Sequence, residues 1–401
     1  MKCRVCCGNI LKQVIDLGNQ PWCNHFLKKE EIGKEEFYPL RVVYCLVCST
    51  AQLDYTVKKE VMFSNHTYLS GVTKSLSSHF EEIAYEVEKR FNPYKKLKSI
   101  LDIGSNDGTQ LVHFRKLGWD ILGVESSTIT AKIAVNKGVP TLNQFFSKTT
   151  IINLKKKFDV INAAGVFFHL EELHSVTEGI KLGLNDDGVF VVQFLYMKSI
   201  MENNAFDQIY HEHLLYYTLK TLKVLLKKHD LELFDAYLAP IHGGQMIAFV
   251  GHPGFHQKTK RLIDLEKDEM ISECNSIEAY REFEKRIHLM RDKNLNYLRN
   301  ANRRGKKVFG MGAPVKGNTL LNYFRVGPDL IECLLEKNQL RKGLFSPGMH
   351  IPILMEDEVD IIPDIYYVLA WNFKEEILKN NKSLLDAGVE FYFPVQPKLS
   401  A

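Results

Sequence analysis

The sequence has 401 residues, of which 45% are hydrophobic and 25% are charged, and its net charge at pH 7 is +4. This length predicts two or three domains, and the composition is average for a soluble globular protein without a membrane-spanning segment. The basic residues are spread along the chain and do not form the aromatic-rich basic clusters of nucleic-acid-binding proteins, so we expect neither nucleic acid nor a membrane as a partner.

The N-terminal segment carries six of the eight cysteines within its first 48 residues. Four of them form two C-x-x-C pairs, Cys3 with Cys6 and Cys45 with Cys48. Each pair can bind one zinc ion from a short turn, and a four-cysteine site leaves no position for water, so we predict a structural zinc ion. Redox cysteines and unpaired buried thiols are the alternatives. The polar Met1–Cys7 start and the cysteine usage favour a cytoplasmic location.

The next segment, Ser64–Gly71, is polar and aromatic and contains glycine. Its Tyr68 and Ser70 can donate hydrogen bonds into a cleft, whereas a plain linker is the alternative reading. After it, apolar residues at helical spacing between Phe80 and Phe91 predict an amphipathic helix that packs on the following sheet.

A glycine-rich turn follows an apolar run in Ser99–Thr109, with the sequence SILDIGSNDGT. Gly104 and Gly108 allow the backbone to approach a ligand closely, as in the cofactor turns of α/β proteins. Glu125 lies 21 residues after Gly104 at the end of a second apolar strand, where a carboxylate can accept hydrogen bonds from both hydroxyls of a ribose. We therefore predict a cofactor site here, with an ordinary strand-to-helix turn as the alternative.

The spacing of this turn indicates which cofactor it binds. Dinucleotide-binding turns read G-x-G-x-x-G, whereas this one reads G-x-x-x-G with Asp107 inside it. An acidic side chain there would repel a pyrophosphate and suits a cationic cofactor, which favours S-adenosylmethionine (SAM) over NAD. The residues assigned to the cofactor site are Gly104, Ser105, Asn106, Gly108, Glu125, Ser126, Gln144, Ala164 and Gly165.

Strands and helices alternate regularly from Ser99 onward, which predicts a doubly wound sheet. The predicted strands are Ile100–Ile103, Ile121–Val124, Phe158–Ala163 and Val189–Leu195. A helix at Leu219–His229 precedes an antiparallel pair, Leu231–Leu238 and Gln245–Gly251. Such a terminal hairpin is typical of the SAM-dependent methyltransferase version of the fold.

The segment Phe206–Leu214, FDQIYHEHL, concentrates five polar or titratable groups within seven positions. Burying them without a purpose would be costly. Metal binding through His211 and His213 is one alternative. Tyr210, Glu212 and His213 can instead serve as base, orienting carboxylate and enolate stabiliser.

The C-terminal part begins with two predicted helices, His256–Ser272 and Asn275–Arg304, the second with Asn275 and Glu278 as a capping pair. A strand followed by a glycine turn comes next at Lys306–Gly312, and further strands near Leu330–Leu335 and Ile365–Ala370 complete a small α/β domain. Backbone amides and the Lys316 ammonium beyond the turn could bind a pyrophosphate. The residues assigned to substrate binding are Tyr68, Ser70, Gly312, Ala313, Lys316 and Asn318.

The combination of the two C-x-x-C pairs, ILDIGSNDG, FDQIYHEHL and GMGAPVKGNTLLNYF resembles the zinc-containing, SAM-dependent deoxysugar C-methyltransferases from Cys3 to about Pro397. With the patterns above, this gives an α/β protein of three parts. Residues 1–70 form a four-cysteine zinc module, residues 71–255 a Rossmann-like SAM methyltransferase domain, and residues 256–401 a helical spacer with a Rossmann-like nucleotide-sugar-binding domain.

The resemblance implies methyl transfer to the carbon α to the ketone of a nucleotide-linked 4-keto-deoxysugar, with C-3′ and a dTDP carrier as first choices. It also makes His213 the base, with Tyr210, Glu212, His169 and Tyr68 lining the sugar site. The alternatives are a GDP-linked or C-5′ substrate, a nicotinamide-dependent sugar-nucleotide oxidoreductase, and a zinc-containing module that binds nucleotides or RNA without catalysis. We expect a monomer or a homodimer.

Overall fold

The computed structural model describes residues 1–64, 69–72, 74–91 and 98–395, which form three β-sheets. No helix in these described ranges is both long and apolar enough to cross a membrane. The α/β fold class predicted from the sequence is confirmed, with the cysteine cluster at the N-terminus, a mainly parallel central sheet and a parallel C-terminal sheet.

The N-terminal sheet is antiparallel and was not predicted from the sequence. It contains β1 (Leu11–Pro21), β2 (Phe37–Cys45) and β3 (Ala51–Leu53), followed by helix α1 (Lys59–Phe63). Apolar residues of β1 alternate irregularly because register shifts interrupt its pairing with β2. This irregularity hides the strand from a period-2 pattern search.

The central sheet has seven strands in the order β10-β11-β8-β7-β4-β5-β6. The strands are β4 (Ser99–Ile103), β5 (Asp120–Glu125), β6 (Thr141–Asn143), β7 (Phe158–Ala164), β8 (Leu184–Leu195), β10 (Glu232–Ala239) and β11 (Gln245–Gly251). β11 is antiparallel to both of its neighbours, as the predicted hairpin requires, and β4 to β8 are parallel. This arrangement brings the ends of β4, β5 and β7 to one edge.

The helices of this part lie between the strands and after β8. They are α2 (Lys74–Phe91), α3 (Thr109–Lys116), α4 (Thr128–Asn136), α5 (Lys148–Leu154), α6 (Leu173–Gly183), α7 (Met197–Glu202) and α8 (Leu219–Lys228). The short strand β9 (Leu215–Tyr216) lies between α7 and α8 in the chain. It belongs to the N-terminal sheet, where it pairs with β3.

The C-terminal sheet has five parallel strands in the order β14-β13-β12-β15-β16. Its elements are α9 (Lys260–Ile271), α10 (Ile277–Arg303), β12 (Val308–Met311), α11 (Val315–Phe324), β13 (Leu334–Glu336), β14 (Ile353–Met355), β15 (Ile365–Val368), α12 (Lys374–Asn380), α13 (Lys382–Asp386) and β16 (Glu390–Tyr392). The predicted cap of α10 was wrong by one residue, because the Ser276 side chain accepts the hydrogen bond from the Ala279 amide.

Candidate active site

The four predicted zinc ligands lie together beside the N-terminal sheet. The Sγ atoms of Cys3 and Cys48 are 3.5 Å apart, those of Cys6 and Cys45 are 3.6 Å apart, and all four lie within 4.8 Å of one another. Sulfurs that bind one zinc ion tetrahedrally at ~2.3 Å are about 3.8 Å apart. The cluster therefore fits a zinc ion with four thiolate ligands, a closed site of the structural kind.

The turn after β4 has the shape predicted for a cofactor cradle. Gly104 and Gly108 have φ values of +70° and +75°, a region that favours glycine. The Glu125 carboxylate at the end of β5 accepts hydrogen bonds from the Asn106 amide at 2.8 Å and the Ser127 amide at 2.7 Å. It thereby fixes the turn after β4 against the end of β5, where the sequence analysis placed a carboxylate for a ribose.

Asp107 stabilises this turn, which differs from the role that we inferred from its charge. Its carboxylate lies 2.8 Å from the Lys137 ammonium and accepts a 2.7 Å hydrogen bond from the Thr109 hydroxyl. It also accepts a hydrogen bond from the Gly71 amide at 3.2 Å, which holds the segment before α2 against the turn. Lys137 balances its charge, so Asp107 also has a structural role in the turn that the sequence analysis did not predict.

The other residues assigned to the cofactor lie near the same edge of the sheet, but the Ser105 side chain faces away from the cradle. Gly165 directly follows β7 with φ +71°, and a Cβ placed on it would meet open space. Ala164 precedes it, and Gln144, whose amide donates to the Thr150 hydroxyl at 3.1 Å, lies beyond β6. Ser126 accepts through its carbonyl from Asn143. The Ser105 hydroxyl faces Gly123 of β5, behind the turn, so only its backbone is presented to the cradle.

Three predicted catalytic side chains are close neighbours. The ring centroids of His213 and Tyr210 are 3.7 Å apart, and those of His213 and His169 are 5.2 Å apart. His213 Nδ1 lies 2.6 Å from the Gln208 carbonyl, and His169 Nδ1 lies 2.5 Å from the Glu212 carbonyl. A carbonyl only accepts hydrogen bonds, so each Nδ1 carries the proton and the lone pair of each neutral ring is on Nε2.

The Glu212 carboxylate is held by the zinc module. Its Oε1 accepts hydrogen bonds from the Trp22 indole at 2.8 Å and from the Asn24 amide at 3.2 Å. Burial raises the pKa of Glu212 to about 7, although both hydrogen bonds lower it. Trp22 and Asn24 escaped the sequence analysis because no local pattern links residues 190 positions apart. The Gln208 carbonyl is one partner that orients His213, and the orienting role of Glu212 stays a prediction.

His211 points toward the N-terminal sheet. Its Nε2 donates to the Tyr38 carbonyl at 3.3 Å, and burial lowers the pKa of His211 to about 4. Across the residues that the structure describes, the four cysteines are the sole group of three or more metal-binding side chains with converging ligand atoms. The structure therefore does not support the alternative of a metal at His211 and His213.

The predicted substrate residues of α11 lie where the three parts of the chain meet. The Lys316 ammonium is 3.7 Å from the Asp207 carboxylate and 3.8 Å from the centre of the Trp371 ring. The Asn318 amide donates a 2.7 Å hydrogen bond to the Cys23 carbonyl. Burial raises the pKa of Asp207 and lowers the pKa of Lys316, while the opposite charge of each partner counteracts both shifts.

The remaining assigned residues border the same region. Gly312 has φ +79°, and the Ala313 amide donates at 3.2 Å to Glu336, which ends β13. The Ser70 amide donates a 3.0 Å hydrogen bond to the Asn106 side chain, so this residue joins the cofactor turn. The predicted residue Tyr68 lies outside the described ranges.

Three family models match the chain in sequence order. The model described as "Putative zinc binding domain" matches residues 3–63, the "Methyltransferase domain" matches residues 76–236, and the "C-methyltransferase C-terminal domain" matches residues 240–396. The C-methyltransferase NovU of Streptomyces niveus is 29% identical to this chain over 400 residues, which cover 98% of this chain and 95% of NovU.

Solved structures of other methyltransferases are similar to about half of the chain. A SAM-dependent methyltransferase from Clostridium acetobutylicum is 15% identical with a TM-score of 0.37 and covers 44% of this chain and 92% of its own. The magnesium protoporphyrin IX methyltransferase from Synechocystis is 11% identical with a TM-score of 0.36 and covers 45% and 88%. The family matches and the two sites described above establish SAM and zinc as the cofactors.

Proposed function

We propose that this protein, a member of the SAM-dependent C-methyltransferase family, methylates the C-3′ carbon next to the ketone of a dTDP-linked 4-keto-deoxysugar. The observation that carries the proposal is the cluster of His213, Tyr210 and His169, in which the hydrogen bond from Nδ1 to the Gln208 carbonyl leaves the His213 base lone pair on Nε2. The motifs that resemble deoxysugar C-methyltransferases support the choice of substrate.

The chemistry that this cluster supports begins with proton removal. A carbon next to a ketone becomes nucleophilic when its proton is taken by a base while the oxygen is stabilised. His213 Nε2 accepts the proton, the Tyr210 hydroxyl donates a hydrogen bond to the enolate oxygen, and the His169 ring lines the same site. SAM supplies the methyl group as an electrophilic sulfonium when bound. Phe168, whose ring is 4.7 Å from that of His213, helps to keep water from the site.

The nucleotide carrier is assigned to the C-terminal part. The Lys316 ammonium is buried and has no hydrogen-bond partner among the described residues, beyond its 3.7 Å approach to Asp207. Together with the amides of Gly312, Ala313 and the first turn of α11, it suits a diphosphate group. Asn318 completes this proposed site from the same helix.

The experiment that tests this function is a methyl-transfer assay of the purified protein against dTDP- and GDP-linked 4-ketosugars, with the same sugars in reduced form as controls. We expect methylation of the dTDP ketosugar alone, and NMR of the product distinguishes C-3′ from C-5′. Transfer to a reduced sugar, or tight binding of NAD with no transfer to any ketosugar, would contradict the proposal. None of the eight cysteines forms a disulfide, which supports assigning the protein to the reducing cytoplasm.

A further inference from the structure

We infer that Asp207 is a positioning residue through which the C-terminal part of the chain sets the orientation of His213. This inference rests on the proposed function, in which His213 is the base. It adds a residue that touches neither cofactor nor substrate, and it assigns to Lys316 and Trp371 an effect on catalysis besides any contact with the nucleotide.

The carboxylate of Asp207 is clamped by two side chains of the C-terminal part. The Trp371 indole donates a 2.6 Å hydrogen bond to Asp207 Oδ2, and the Lys316 ammonium lies 3.7 Å from the same oxygen. Asp207 is fully buried, with 0% of its surface exposed. Breaking such a buried pair on one side leaves an uncompensated charge, so the clamp resists displacement.

Phe206, the residue before Asp207, packs on α11, the helix that also carries Lys316. The Phe206 ring packs on Tyr323 and Phe324 of α11, with centroid distances of 5.6 Å and 5.4 Å. Phe206–Gln208 form a single 3-10 turn, so the position of this turn follows the position of α11. The turn therefore has both polar and apolar contacts with the C-terminal part.

The position of this turn determines the orientation of His213 through one hydrogen bond. Asp207 immediately precedes Gln208, whose carbonyl lies 2.6 Å from His213 Nδ1 and fixes both the ring orientation and the position of its lone pair. A displacement of about 1 Å at a reacting group can reduce the rate about 100-fold. Movement of α11 away from the central sheet would therefore misplace the base even with SAM bound.

Four variants separate positioning from folding. Asp207→Ala removes the clamp, and Trp371→Phe removes the indole donor alone. The conservative variant Asp207→Asn removes the carboxylate charge, yet its side-chain carbonyl can still accept the hydrogen bond from Trp371 and its volume is almost unchanged. Asp186→Asn is the matched control, because Asp186 forms an exposed ion pair with Lys157 far from the site.

We expect Asp207→Ala and Trp371→Phe to lower kcat about 10- to 100-fold with the SAM dissociation constant unchanged, and the conservative variant Asp207→Asn to keep kcat within about threefold of wild type. Asp186→Asn should behave as wild type. Unchanged kcat per folded molecule in Asp207→Ala, at whatever melting temperature, would overturn the inference.

NMR of the His213 ring tests the inference independently of the proposed function. In protein labelled with ¹⁵N-histidine, the His213 signals are identified by their absence in His213→Asn. We expect wild type and Asp207→Asn to show a proton on Nδ1 of His213, and Asp207→Ala to show exchange between tautomers. A wild-type spectrum in Asp207→Ala would refute the inference even if no ketosugar were methylated, whereas failure of the proposed function would leave this spectrum unaffected.

Discussion

The indole N–H of Trp22 donates a 2.8 Å hydrogen bond to the carboxylate of Glu212. The donor lies in the zinc-binding part of the chain, just after β1, whereas the acceptor lies between Tyr210 and His213 in the catalytic segment. Asn24 adds a second donor to the same oxygen. The zinc-binding part thus supports one side of the catalytic cluster as well as stabilising its own fold.

Replacement of Trp22 by Phe should lower kcat/KM about tenfold, since loss of a hydrogen bond to a buried carboxyl group corresponds to about 1–3 kcal/mol. Zinc content should not change. The matched control is Trp119→Phe, which removes an indole donor to Glu88 at 2.7 Å away from the site. Equal losses of activity in both variants would show that the effect is one of general stability.

His213→Asn should preserve SAM binding while turnover falls by about two to four orders of magnitude, the usual contribution of a positioned base. Wild-type protein incubated with ketosugar and S-adenosylhomocysteine in D₂O should exchange the α-proton, and the variant should not. A folded His213→Asn protein with near wild-type turnover would move the search for the base to His169 or Tyr210.

Cys45→Ser should lose zinc and lower the melting temperature, because binding of a structural metal is coupled to folding. Metal analysis and calorimetry give both quantities. Cys7→Ser is the control, since Cys7 is exposed and adjacent to the ligand Cys6. A folded Cys45→Ser protein with full zinc content and an unchanged melting temperature would disprove the four-cysteine site.

Glu125→Ala should weaken SAM binding by about 1–3 kcal/mol, the range for loss of a partner in buried hydrogen bonds. Its carboxylate also ties Asn106 to the end of β5, so part of the loss comes from a looser turn. Titration calorimetry measures the affinity, with Asp120→Ala at the exposed start of β5 as the control. Unchanged SAM affinity in Glu125→Ala would place the ribose elsewhere.

Acid should destabilise the protein partly through His211. Burial lowers the pKa of His211 to about 4 in the fold, below the ordinary value of about 6.5, so between these values the unfolded chain binds more protons. The stability linked to His211 is complete above pH ~6.5 and is lost as the pH falls toward 4, by up to about 1.4 kcal/mol per pH unit. His211→Asn should flatten the dependence of melting temperature on pH in this range, and exposed His288→Asn should not. Parallel curves for wild type and His211→Asn would contradict the assignment.

The sequence predicted those parts of the fold that depend on local patterns. The longer strands of the central sheet and its final hairpin were located to within a few residues, except for the N-terminal half of β8, where Asp186 and Asp187 interrupt the apolar run. The two C-x-x-C pairs predicted the four-cysteine cluster, because one zinc ion takes four thiolate ligands. The short strands β6, β14 and β16, each of three residues, carry too little periodicity to detect.

What the sequence did not reveal are contacts between distant segments. The partners of Glu212, the salt bridge that balances Asp107, and the clamp on Asp207 each join residues that no spacing rule connects. The Asp107 case shows the physical limit of such reasoning. The effect of a charge in a turn depends on its nearest counter-ion, and Lys137 stands 30 residues away in the chain.

The pairing of β9 with β3 places Tyr216 opposite Ala51 and Leu215 opposite Gln52, directly after the catalytic segment. The boundary between zinc-binding part and methyltransferase fold therefore runs through a shared ladder instead of a linker. Cutting out the methyltransferase segment alone would expose an unpaired strand edge, which is prone to aggregation. Chimeras built from two relatives should consequently exchange the first 63 residues and the stretch 206–216 as a single unit, since neither piece is an independent building block.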